Sequence, residues 1–364
     1  MTAIKVTFES ATAAPFVTEL KERVTDYFRV RGVSDKANWV MVARTISMLG
    51  LTSGSYALIL WGGLPKLAML GLAVVMGVGL AGVGFGVSHD ALHGAYSRHP
   101  LVNRFIGYTH DLCGANGYMW RITHNVIHHT YTNIHGIDED LEVSPLLRLS
   151  PRATYRWYHR FQPLYAFLLY SFSTLFWVFV KDYKYFLQRH LGPYKDYRPP
   201  ASEVVTLVVG KALYYGWAIV LPLVVLRLPW WQFAIGFLAM NLTAGLILGV
   251  VFQLAHVVED TAHPLPNAEG AIGDVWVAHE LATTANFANG NPLVTWYVGG
   301  LNHQIEHHLF PKVCSVHYPA LAPIVRDVVR SHGLPYYHAP TLFAAIRSHY
   351  RTLQRHARPP LVAA

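Results

Sequence analysis

Cysteine is nearly missing from this 364-residue chain, which holds only Cys113 and Cys314. Two thiols so far apart give neither a disulfide framework nor a CxxC metal or redox motif, so a reducing, cytosol-facing chemistry is expected. Charge is scarce as well, at 14% of residues against 52% hydrophobic, a balance outside the usual range of soluble domains. The start, MTAIKVTFES, lacks a basic segment followed by an apolar core and a small-residue cleavage site. A cleaved signal peptide is therefore not expected, and the first 40 residues stay in the mature protein. No nucleic-acid motif accompanies the formal charge of +8; the basic residues are scattered beside apolar segments, which fits anionic headgroups better. Internal repeats and low-complexity segments are missing too.

What is abundant is uncharged length. Residues 67–88 and 231–255 each exceed the ~20 residues needed to cross a ~30 Å hydrocarbon core. Residues 45–62 are charge-free, and 204–226 hold only Lys211, near one end where its stem can snorkel. The expected fold is an all-α integral membrane protein with four transmembrane helices in two hairpins, which turn at 63–66 and 227–230. Basic residues gather in the N-terminal region, in the central loop from Lys181 to Arg198 and after residue 320, which puts those parts in the cytosol and both turns outside. Residues 163–180 are apolar too. A fifth crossing there would put the histidines of the middle and of the C-terminal part on opposite faces, so this stretch and the shorter 101–119 are read as helices embedded at the interface. Residues 15–30 place Phe16, Leu20, Val24, Tyr27 and Phe28 at helical spacings with charges between, an amphipathic helix lying against the body. The organisation expected is a cytosolic amphipathic segment (1–40), one membrane domain (41–340) whose halves are joined by a Pro/Gly-rich linker at 192–200, and a basic C-terminal tail (341–364).

Histidine is the residue in excess, and it comes in three clusters. HDALH holds His89 and His93, immediately after the apolar run that ends at Ser88; an i, i+4 pair on a continuing helix puts both imidazoles on one face, about 6 Å apart, where they can share a metal. HNVIHH repeats that spacing with His124 and His128, and His129 points roughly 100° around the helix toward a second ion. The third cluster is QIEHH, with Gln304, His307 and His308. A single histidine on a helix face is most simply a satisfied polar group, but all three clusters lie just beyond apolar segments on what the charge rule makes one face. So many neutral nitrogen donors exceed one tetrahedral zinc site and argue for two redox-active metals, iron by ligand type. His256 ends a 25-residue uncharged run, about 37 Å of helix, and reaches the same layer; it joins the ligand set because a glutamine is a weaker donor than imidazole. His303 is the runner-up to Gln304 for one coordination position. Asp90, Asp138, Glu139, Asp140, Glu259, Asp260 and Glu306 are candidates to orient ligand imidazoles through their second nitrogens, and His303 adjoins them. His99, His110, His135, His159, His190, His332, His338, His349 and His356 lack a partner at metal-pair spacing and read as surface or structural groups, with His263, His279 and His317 intermediate.

HDALH, HNVIHH and QIEHHLFP resemble the three histidine boxes of the membrane fatty acid desaturases, over roughly residues 40–340. The glutamine heading the third box resembles the front-end and bacterial acyl desaturase branch, where stearoyl-CoA desaturases have HxxHH. The resemblance implies four spans under a cytosolic helical cap, a non-haem centre of two iron ions, O2 as co-substrate, and dehydrogenation of a fatty acyl-CoA or acyl-lipid. Stearoyl-CoA desaturases, which the chain resembles, also use a histidine at the end of the last span, the position of His256. Many eukaryotic front-end enzymes carry an N-terminal cytochrome b5 domain with an HPGG motif. This chain lacks that motif and the ~80–100 residues it would need ahead of the first span. Electrons are therefore expected from a separate ferredoxin or rubredoxin-like carrier with its reductase, in a bacterial cytoplasmic membrane with the site on the cytosolic face.

Removing hydrogens from an unactivated methylene requires a stronger oxidant than any side chain, so the cofactor supplies the hard step and the protein supplies geometry, including an apolar tunnel. Trp120, Trp276, Trp296 and Tyr297 are candidate tunnel walls. A hydroxylase or ketolase acting on a lipid with the same irons is the alternative within this chemistry. A histidine-rich metal transporter is the alternative outside it, disfavoured because transporters place ligands within their spans, whereas residues 67–88 hold no ionisable group.

Overall fold

The structure, a computed structural model, describes residues 6–10, 14–141 and 144–359. Strand β1 (Thr7–Glu9) precedes α1 (Pro15–Arg31), α2 (Trp39–Trp61) and α3 (Lys66–Leu92). Helix α4 (Pro100–Leu112) leads into α5 (117–131), whose middle, Arg121–His128, is π-helical. After a loop come α6 (Trp157–Ser171) and α7 (Ser173–Leu187), which meet at a 60° bend, then α8 (Ala201–Leu226) and α9 (Trp230–His256). The C-terminal part is made of β2 (Ala271–Val275), α10 (Trp276–Thr283), β3 (Ala285–Phe287), α11 (Pro292–Tyr297), α12 (Gln304–Leu309), α13 (Tyr318–Ser331), β4 (Tyr337–Ala339) and α14 (Leu342–His356).

Among the described residues three helices, α3, α8 and α9, are long and apolar enough to cross a membrane, and the bent pair α6/α7 passes the same test as a unit. Helix α2, expected from residues 45–62 to be the first span, has 23 residues, about 34 Å, but falls below the other three in hydropathy. It packs along α3 as one arm of the expected hairpin. Small residues allow the close approach that lipid, as apolar as the helices themselves, does not drive: a Cβ on Gly77 would overlap the Met240 carbonyl where α3 crosses α9. The two hairpin turns are neighbours, since a Cβ on Gly62 would touch Leu226 at 3.6 Å. Helices α3 and α9 therefore run in the same direction and end together, α3 at its histidine pair and α9 at His256.

The bent pair does not carry the chain away from that end. Lys181 on α7 lies 3.2 Å from Asp140, which precedes α6. The bend itself packs into α9, where a Cβ on Gly245 would overlap the Ser171 carbonyl, and Ser173 Oγ donates to the Gly245 carbonyl at 3.0 Å. Lys211 does not snorkel as its position suggested. It is buried in α8, donating to Asp182 at 2.8 Å and to the carbonyls of Gly114, Trp177 and Val178, because α7 and the turn after α4 bring those acceptors to mid-helix depth.

The all-α expectation needs a small correction, for β1 pairs with β2 and β3 with β4 in two parallel two-stranded sheets. Each strand is three to five residues long and fastens segments far apart in sequence across the histidine end of the bundle. Helix α1 buries Phe16, Val17, Leu20 and Val24, packing Phe16, Val17 and Leu20 against Val325, Val328 and Val329 of α13, as its periodicity required. Residues expected as a basic tail form α14, with His349 and Leu353 buried, and His349 Nδ1–H donates to the Val257 carbonyl at 2.7 Å; residues 360–364 lie outside the described ones.

Candidate metal centre

The end of α3, the π-helical stretch of α5, the end of α9 and the short α12 converge on one point. There His89, His93, His124 and His307 form a group whose candidate ligand atoms all lie within 4.8 Å of one another, and His128, His256 and His308 form a second. All seven are buried. His129 stands between the groups, its ring centroid 4.5 Å from His307 and 4.3 Å from His308. The pairing differs from the one read from the sequence. His124 and His128 were expected to share one ion with His129 facing the other. Instead His124 and His128 fall in different groups, although their rings stack at 5.0 Å, while widening the helix from i→i+4 to i→i+5 hydrogen bonding turns His129 back toward His124, their ring centroids 4.9 Å apart.

Five of the imidazoles are anchored in one sense. The Nδ1–H groups of His124, His128 and His308 donate to Asp140 (3.0 Å), Asp138 (3.0 Å) and Glu280 (2.7 Å). Those of His256 and His307 face the Thr283 carbonyl (3.3 Å) and the Tyr318 hydroxyl (3.3 Å). In all five, Nε2 is buried with no hydrogen-bond partner among the described residues, and the same holds for His93 Nε2, His89 Nδ1 and both nitrogens of His129. Orphaned buried donor or acceptor atoms are costly. Fixing the tautomer through Nδ1 leaves Nε2 with a lone pair aimed inward, the arrangement that metal-ligating histidines adopt. The donor set fits nitrogen-loving transition metals.

Electrostatics agree. Burial holds His124 down at about 3 and His129, His307 and His308 well below the ordinary range, so their lone pairs stay free at neutral pH. Burial pulls His128 down too, but the Asp138 carboxylate outweighs it and leaves His128 above its usual value. Burial favours the neutral form of Asp140, yet Lys181 and His124 hold it far below the carboxylate range. Glu280 is pushed well up by burial.

Other expected residues fall elsewhere. Gln304 is buried beside the group, its Nε2–H donating to the Leu301 carbonyl at 2.6 Å, so Oε1 is its remaining donor atom. His303 belongs to neither group; its Nδ1 lies 2.7 Å from Asn289. Asp90 Oδ2 accepts from the Ser315 amide and hydroxyl at 3.0 and 2.8 Å, leaving Oδ1 3.6 Å from His89 Nδ1. Glu306 accepts from Asn286 and Tyr336, and Glu259 pairs with Arg355. Glu280 and Tyr318 went unnoticed in the sequence: a lone glutamate in the apolar VAHELAT helix was the available signal for the first, and nothing marked the second.

Against the first group lies a cavity of about 480 Å³, lined by His89, His124, His307 and Gln304 and walled by apolar residues of α3, α6, α7 and α9. It descends to Asn241, roughly 22 Å down α9 from His256. Trp120 lines it, stacked on His124 at 4.4 Å; Trp276, Trp296 and Tyr297, expected beside it, are not among the lining residues. His110, expected as a surface or structural group, is buried in this wall, where burial holds it at about 3.

A family model described as fatty acid desaturase matches residues 65–340. The chain is 36% identical, over 97% of its length and 95% of the relative's, to the sn-1 linoleoyl-lipid 6-desaturase of Arthrospira platensis. It is 38% identical, over 92% and 93%, to the sn-1 linoleoyl-lipid 6-desaturase of Synechocystis sp., and 34% identical, over 96% and 74%, to an acyl-lipid (8-3)-desaturase of Physcomitrium patens.

Proposed function

Because this chain belongs to the fatty acid desaturase family and desaturates fatty acyl chains, we propose that it does so on an acyl-lipid with a centre of two iron ions. The observation that carries this reading is the set of orphaned imidazole nitrogens beside the apolar cavity. His89, His93, His124 and His307 would hold one ion and His128, His256 and His308 the other, with His129 between them and Gln304 Oε1 completing the first set on the cavity side. Bound there, the ions would supply the oxidising power for which one O2, two electrons and two protons yield one double bond and two waters.

The chain's own residues do the rest. The cavity binds the acyl segment and keeps water from the reacting methylenes, Trp120 and Phe85 confine it, and Asp138, Asp140 and Glu280 fix the imidazoles so that ligand geometry is set before substrate arrives. An acyl-lipid is favoured over acyl-CoA because the relatives most alike in length are named for lipid substrates. We further read α2, α3, α8 and α9 as four spans of one membrane domain over 41–340, α4 and the α6/α7 pair as interfacial, and the histidine end with its cap as cytosolic, in a bacterial cytoplasmic membrane. The Lys181–Asp140 contact across the bent pair and the distribution of basic residues support this topology. Electrons would come from a ferredoxin or rubredoxin-type carrier with its reductase.

The test is expression in a host poor in unsaturated lipids, followed by mass analysis of intact lipids. Acyl chains lighter by two hydrogens are expected; chains heavier by one oxygen would make the protein a hydroxylase, and unchanged lipids with an active reductant chain would overturn the reading.

A further inference from the structure

The histidine cluster is reached from two sides. One is the apolar cavity already described. The other is a cleft of about 610 Å³ between the α1–α2 loop, the end of α3, α4 and the start of α8, and His93 lies at its floor. His93 Nε2 belongs to the buried orphaned set, so this single imidazole stands between the cleft and the proposed metal position.

The cleft differs in chemistry from the cavity. Lys36, Arg98, Arg104, Arg121 and Lys312 line it, against the carboxylates Asp111 and Glu203, five cations to two acids. Arg98, Arg104, Arg121 and Lys312 are exposed. Lys36 is engaged with Asp35 and the carbonyls of Gly94 and Lys312, and Arg104 with the Tyr108 hydroxyl. Asp111 is buried under amide donors from Asn116 and Gly117, and burial pushes it up to about 7, so it offsets little of the positive field at the rim.

An acyl chain has no use for such a rim, but an acidic protein does: complementary charge steers encounter and fixes orientation. The geometry points to this cleft as the docking site of an acidic iron–sulfur electron carrier, with His93 as the imidazole through which its electrons reach the centre. The assignment rests on the desaturase reading, since each turnover there takes up two electrons. It divides labour between the two openings, so that bound substrate does not obstruct reduction.

The experiment uses the purified full-length protein and an acidic plant-type [2Fe–2S] ferredoxin, with Arg98→Glu, Lys312→Glu and their combination, and Arg330→Glu as an equal charge change on the α13 face away from the cleft. For the first two, the second-order rate of reduction by ferredoxin is expected to fall roughly 3–10-fold at low salt and less than about 2-fold at 0.5 M salt, and the double variant to fall further. Titration of oxidised ferredoxin into metal-free protein should show weakening in the same order, while R330E behaves as the parent. Single turnover after chemical reduction should be unchanged in all variants; loss of turnover in the parent under those conditions would count against the desaturase reading instead. Unchanged reduction and binding in the double variant overturn the docking site. If the double variant instead loses retention only on vesicles containing phosphatidylglycerol, the cleft holds lipid headgroups and the docking proposal is wrong.

Discussion

His124 and Asp140 are joined by a 3.0 Å hydrogen bond from imidazole to carboxylate, and the other Asp140 oxygen lies 3.2 Å from Lys181 Nζ. Of the three carboxylates holding cluster imidazoles, Asp140 is the one with a lysine partner, and that lysine stands on α7, in the wall of the cavity. The loop after α5, the first histidine group and the cavity wall are thus joined by one polar chain from Lys181 through Asp140 to His124.

Asp140→Asn keeps the shape and removes the charge. Metal affinity of the first group is expected to fall about 10–100-fold, read by chelator competition on purified protein. Asp138→Asn should do the same to the second group. Parent-like affinity in both variants would show that the carboxylates do not orient ligands.

His256→Ala should remove one ion and abolish turnover, whereas His332→Ala, at a side chain one-third exposed and paired with Glu19 at 2.8 Å, should keep both ions and activity. Iron is counted per chain by elemental analysis in detergent. If the first variant retains both ions and full turnover, His256 is not a ligand.

Lys211→Met leaves Asp182 buried without its cation, which should cost about 3–5 kcal/mol; K211M/D182L, which removes both charges, should recover most of it. Thermal unfolding in one detergent compares the three proteins. A double variant no better than the single would mean that the carbonyl contacts of Lys211, and not the ion pair, matter.

Acid should destabilise the metal-free protein. Burial lowers His124, His110 and His356 to about 3 and His279, His303 and His349 to about 4, while unfolded histidines titrate near 6.5. Between those values the unfolded chain binds more protons than the folded one, so stability falls as pH drops from about 6.5 toward about 4 and is flat with respect to these groups above 7. Unfolding midpoints that do not move between pH 7 and pH 5 would contradict the burial of these imidazoles.

Much of this was legible in the sequence for a physical reason: long apolar helices and histidine clusters are local signals. An apolar run announces its length, and HDALH places two imidazoles on one face of any helix it enters. The legible part stopped where geometry departs from the regular α-helix or where partners come from afar. The π-helical Arg121–His128 brings the His129 ring within 4.9 Å of the His124 ring, two positions that 3.6 residues per turn would set about 140° apart. Glu280 meets His308 from 28 positions away. Lys211 looked like a snorkelling residue because only the packing of α7 reveals Asp182 beside it.

The scatter of the two groups along the chain has a consequence for how the protein is made. His89 and His93 leave the ribosome well before His307, which must join them, and at roughly 5–20 residues per second the wait is about 10–45 s. His124 of the same group follows His93 in the chain and emerges about 2–6 s after it at that rate, so the first hairpin presents an imidazole pair alone only for that shorter time and a set of three for the rest of the wait, able to capture whatever divalent ion is at hand. Completion of the group of four therefore comes late in synthesis, and the fidelity with which it would take up its working metal depends on how weakly the two or three earlier histidines hold an ion compared with the finished group.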